Sequence, residues 1–130
     1  MDFTNLGAAE TLKWVLAEGS PLPPPGGLFV KLHIGDPGAD GIQNPAIEER
    51  RVLAAWAAIA VEGTAGGAAA LTSGDLLWTV VSTTETYTHV SFWTAITDGD
   101  CWYKGAMVAP VPVIAGSNFK FPAGSKLTHT

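Results

Sequence analysis

Between Thr86 and Ala95 the side chains alternate in character. A turn at Asp98-Gly99-Asp100 follows, and an apolar run returns from Cys101 to Val108. Successive side chains of a strand point to opposite faces, so Val90 and Phe92 share one face with Thr86, Thr88 and Thr94, while Tyr87, His89, Ser91 and Trp93 share the other. Aromatic residues on both faces suit a central strand between two packed layers. The Asp-Gly step is a hairpin signal. Similar short runs recur at Leu28–Ile34, where Phe29, Lys31 and His33 share the partly wet face, and at 68–72, 76–81, 118–121 and 126–130, with Gly63–Gly67, Ser73-Gly74-Asp75 and Ala123-Gly124-Ser125 as turns. Pro110 and Pro112 mark an edge or a bend, because proline cannot donate to a central ladder. Strands with turn signals about every ten residues predict a mainly β fold, an antiparallel β-sandwich of jelly-roll-like type.

Before the strands, residues 5–18 carry a helical pattern. Ala8, Leu12, Val15 and Leu16 fall on one stripe, Thr4 or Asn5 can cap the start, and Gly19 can end it. A helix this short is marginal alone, so its apolar stripe is expected to dock on the domain or on a neighbouring subunit. Four prolines between residues 21 and 27 exclude helix and central strand, and predict an extended spacer. The expected organisation is a helical attachment segment at 1–20, a linker at 21–27 and the β-domain at 28–130. One stretch stays open: 52–61 mixes Ala, which favours helix, with Val, Ile and Trp, which favour strands.

With 47% apolar residues the 130-residue chain can bury one core, and with only 15% charged residues it is poor in surface charge. That deficit, with five tryptophans, predicts surface covered by neighbours and a homo-oligomer, most simply a homotrimer. The net charge is −5, and seven scattered Lys and Arg form no stripe for a phosphate backbone, so nucleic acid is not an expected partner. Nor is a membrane: no apolar stretch reaches the ~18 residues of a span, and Met1-Asp2-Phe3 does not read as a signal peptide. The expected site of synthesis is a cytoplasm. Cys101 stands alone and reads as a small buried apolar residue.

Two passages carry a resemblance. The run Leu32-His33-Ile34-Gly35-Asp36-Pro37-Gly38-Ala39-Asp40-Gly41, closing at Asn44-Pro45-Ala46, resembles a "LHTGDPG…ADGTQNPA" passage, and Thr86-Tyr87-Thr88-His89-Val90-Ser91-Phe92-Trp93 resembles "TYTHVSLW". Both are similar to a family of small tailed-bacteriophage virion proteins usually called tail-fibre or minor tail proteins. With Gly105-Ala106 to Pro110 and Ala115–Phe119, the likeness spans most of residues 28–121. It implies a structural component on the virion surface with capsid or tail proteins as partners, and it argues for strand at 52–61. A capsid decoration protein on the head would need the same properties. Fibre shafts use coiled-coil or β-helical repeats, and no such repeat occurs here, so a compact module is expected.

No catalytic constellation is legible, and the expectation is a non-enzyme without cofactors. His33, His89 and His129 lack metal-ligand spacing, and Ser91 beside His89 has no nucleophile elbow. Asp36, Asp40 and Asn44 are weak candidates for a calcium ion, but their spacing does not follow a calcium loop, and self-bonding by Asx turns is the competing reading. Interface candidates are Leu12, Trp14, Val15 and Leu16 on the helix, and Arg50 and Arg51, whose forks pair with carboxylates. The alternative function is a carbohydrate-binding module for a host-surface glycan, stacking sugars on Trp93, Trp102 and Tyr103.

Overall fold

The hairpin at residues 85–113 forms the centre of the fold. The computed structural model describes residues 2–17, 19, 20, 22, 26–57, 59–61 and 68–129. In chain order they form β1 (Asp2–Phe3), α1 (Asn5–Leu16), β2 (Leu28–His33), β3 (Val52–Ala54), β4 (Ala60–Val61), β5 (Ala68–Leu71), β6 (Leu76–Trp78), β7 (Glu85–Trp93), β8 (Cys101–Val113), β9 (Phe119–Phe121) and β10 (Lys126–His129). At the turn, Asp98 and Gly99 take positive φ and the Thr94 N–H donates to the Asp100 carbonyl. Strand and hairpin expectations therefore hold. The stretch 52–61, ambiguous by propensity, supplies β3, a bridge from Trp56 to Thr72, and β4.

A five-stranded antiparallel sheet runs in the order β1-β8-β7-β2-β3, accompanied by the smaller sheets β10-β5-β4 and β6-β9. From the large sheet, Val30, Leu32, Tyr87, Val90 and Phe92 meet Leu76, Trp78 and Phe119 in the core. Phe119 lies edge-on to Tyr87, their centroids 5.2 Å apart. Each such side chain taken from water returns about 1.5–3 kcal/mol, so this sandwich-like packing is what orders the chain. Among the described residues the fold is mainly β with one N-terminal helix, as its pattern predicts.

Three local expectations are corrected. Tyr87 does not share a face with His89: the β7–β8 register slips between them, with five steps along β8 (Ala106 to Val111) answering two along β7. Beyond that irregularity Tyr87 turns into the core, where burial pushes its hydroxyl up to about 12. His33, expected on a partly wet face, is fully buried, because the loop after β2 folds back over that face. The helix stops at Leu16 with Ala17, not Gly19, in the left-handed cap; the Ala17 N–H donates to the Lys13 and Trp14 carbonyls.

Most of the proline spacer (Pro21 and Pro23–Pro25) and the expected turn at Gly63–Gly67 lie outside the described residues. Pro110 and Pro112 sit within β8, whose outer edge is paired by β1 only at Tyr103 and Lys104. An outer edge is where a strand tolerates the missing donors.

Candidate functional site

Helix α1 has two stripes of opposite fate. Its start is fixed by Thr4, which accepts from the Gly7 N–H as N-cap and donates its hydroxyl to the Cys101 carbonyl. The Thr4 N–H donates to the Trp102 carbonyl and the Asn5 N–H to that of Ala39. Beyond the cap itself, three polar bonds thus tie a helix of marginal length to β8 and to the loop after β2. Gly7 lies against the Trp102 backbone so closely that a Cβ there would be 2.2 Å from the Trp102 oxygen. One turn on, Glu10 is buried; two turns on, Trp14 stacks on Trp102 with centroids 5.3 Å apart.

The chain after the helix is held to the same stripe. The Trp14 Nε1–H donates to the Leu22 carbonyl, and the Leu22 N–H donates to the Glu10 carboxylate, which also takes Lys13. The Leu22 bond, then Lys13, holds the Glu10 carboxyl below its usual range. Leu12, Val15 and Leu16, by contrast, are 57%, 74% and 62% exposed. The apolar stripe faces away from its own domain, and Gly7, Glu10 and Trp14 do the docking. Of the four helical interface candidates, Trp14 is thus engaged within the chain and three are open.

Both arginine candidates are also turned onto their own chain. Arg50 makes a two-point contact with the buried Glu48 carboxylate and donates to the Thr79 carbonyl; its guanidinium lowers the Glu48 pKa. Arg51 lies over the Trp93 ring, 4.4 Å from its centroid, and donates to the Ala95 and Asp98 carbonyls. It thereby fastens the β7–β8 turn to the start of β3. The Glu48-Glu49-Arg50-Arg51 run is largely internal bracing.

In the loop, Asp36 accepts from the Gly38 N–H and from Lys104, Asp40 from the Ile42 N–H, and the Asn44 amide donates to the Asp36 carbonyl. These are Asx turns and a clasp to β8. The Gly38 bond, then Lys104, lowers the Asp36 pKa. Among the described residues no group of three or more His, Cys, Asp or Glu is gathered as metal ligands. His33 and His89 are register partners on β2 and β7, yet His33 bonds Gln43 and Ser91 while His89 bonds Thr88.

The rings considered for sugar stacking are spent on packing. Trp93 and Trp102 are 8% and 3% exposed, and their partners are Arg51 and Trp14. Tyr103 stacks on Phe3 and meets Phe92 edge-on. A sugar platform needs an open face, and these two indoles do not offer one. Cys101 is buried, as its sequence context suggests, and burial pushes its thiol up to about 11.

Gly7 and the pair His33–Ser91 were not legible as important positions. Gly7 breaks the hydrophobic periodicity it serves, and Ser91 lies 58 residues from His33. Among the described residues no helix is long and apolar enough to cross a membrane. Comparison with the curated proteins gives no significant match. The resemblance to phage tail-fibre proteins read from the sequence agrees with the family comparison. The model described as "Podophage GP4 fiber I protein gp80" matches residues 2–128, nearly the whole chain, which therefore belongs to this family of phage fibre proteins.

Proposed function

We propose that the chain is a non-enzymatic structural module of the virion, displayed on the particle surface, and that it is built into a fibre through the open face of α1. The observation that carries this is the exposure of Leu12, Val15 and Leu16 on a helix whose other stripe is bonded to the sheet. An apolar patch held rigidly in water marks a contact surface. Covering these side chains returns part of the ~1.5–3 kcal/mol that full burial of each is worth, which favours association of a rigid element. Family membership supports a fibre over a head decoration; the oligomer proposed is a homotrimer, whose closed symmetry would cover the patch, and it joins other virion proteins.

The test is incorporation. Particles assembled with a chain carrying Leu12→Ser, Val15→Ser and Leu16→Ser should lack the protein, although the variant folds. Normal incorporation of that variant rejects the proposal.

A further inference from the structure

The second face of the large sheet carries a buried polar relay. His33 and Ser91 are both 0% exposed. The His33 Nδ1 is 2.9 Å from the Gln43 carbonyl, its Nε2 is 2.6 Å from the Ser91 hydroxyl, and the Trp93 Nε1 is 2.7 Å from that same hydroxyl. The roles follow from chemistry. A carbonyl only accepts, so Nδ1 carries the ring proton; Nε2 then accepts from Ser91, whose oxygen accepts from the indole N–H. Every donor has one acceptor, and the chain of bonds ends on the loop.

That loop, Gly35–Asn44, is also the support of the helix start. Ala39 accepts from the Asn5 N–H, and Gly41, at φ 83°, lies so close to Cys101 that a Cβ there would be 2.4 Å from its sulfur. The Ile34 N–H donates to the Asn44 carbonyl and the Gln43 N–H to that of Pro37. We infer that His33 is an acid-released latch, its neutral imidazole holding the loop to the sheet and its protonation letting the loop go.

Protonation places a hydrogen on Nε2, aimed at an oxygen already taken by Trp93. The Ser91 hydroxyl must then turn its own hydrogen away, and in a fully buried site it has no water to give it to. The surroundings oppose the charge as well. Lys31 lies on the same strand and His89 directly opposite on β7; Lys104 lies on β8, in register with Ser91. From the loop, Asp36 is spent on Lys104 and Gly38, and Asp40 on Ile42. Arg51 covers Trp93, and on α1 the charges of Glu10 and Lys13 neutralise each other.

Burial first, then Lys31 and His89, lowers the His33 pKa from 6.5, against bonds to the loop backbone that raise it. A base lowered in the closed state holds its contribution fully above the open-state value and loses it as pH falls below that value. Opening should therefore rise about tenfold for each pH unit below about 6.5, until the closed-state value is reached.

The experiment is amide exchange on the intact chain by NMR, corrected for intrinsic rates, from about pH 7.5 to about pH 5. Protection at Ile34 and Gln43 should fall about tenfold per unit, while amides of β9 stay protected. His89→Gln should leave this behaviour in place, and His33→Gln should flatten it. If His33→Gln fails to fold, the ring nitrogen shifts of His33 in the wild type decide. They should change in step with the loop amides. Flat protection, equal loss in β9, or a His33 that titrates near 6.5 with the loop unmoved overturns the latch.

Discussion

The two stripes of α1 differ in the direction that composition would least suggest. The stripe built from Gly7, Glu10 and Trp14 contains a glycine, a carboxylate and one large ring, and it is the one that docks; the stripe built from Leu12, Val15 and Leu16 is aliphatic and stays in water. Docking here depends on closeness of backbone approach and on polar bonds at the helix start, not on apolar area alone. A stable monomeric element would not leave its most hydrophobic side uncovered without a use for it.

The docked stripe can be broken at its closest point. Alanine normally favours a helix over glycine by about 1 kcal/mol, but at Gly7 the added carbon meets the Trp102 carbonyl, so Gly7→Ala should destabilise by about 2–3 kcal/mol. Urea unfolding measures it; a gain in stability would mean that the helix is not seated. Trp14→Ala comes next, losing a stacked ring and its bond to Leu22, at about 2 kcal/mol by the same method.

Asp36→Ala loosens the loop beneath the helix start and should lower Tm only slightly, because this carboxylate is exposed and its clasp to Lys104 is screened. Tm of the parent should not move on adding a calcium chelator; a fall would restore the calcium reading of Asp36, Asp40 and Asn44. The smallest effect is expected on the other stripe. Leu12→Ser, Val15→Ser and Leu16→Ser should each change monomer stability by less than about 0.5 kcal/mol, since each side chain is exposed before and after unfolding.

What the chain reveals before folding follows the same division. Alternation and turn residues announce β7, its turn and β8, because those signals are local. The Thr4 cap is likewise local and readable. The docking side of α1 was not, since a periodicity of Leu and Val names an apolar stripe without saying what it faces. Ser91 as the partner of His33 depends on the β2–β7 register, and the inward turn of Tyr87 on a slip between β7 and β8, neither of which has a sequence signature. The arginines were read as interface residues from their chemistry alone. Their actual partners, Glu48 and Trp93, are supplied by the fold.

The central claim is that the exposed stripe of α1 is covered in the assembled particle. Hydroxyl-radical footprinting of the free protein and of intact virions addresses it directly, because aliphatic side chains are oxidised in proportion to their exposure. The account predicts that Leu12, Val15 and Leu16 react in the free chain and are protected in the virion, while exposed Val108 on β8 serves as the reference. Equal oxidation of the three residues in both states would contradict it.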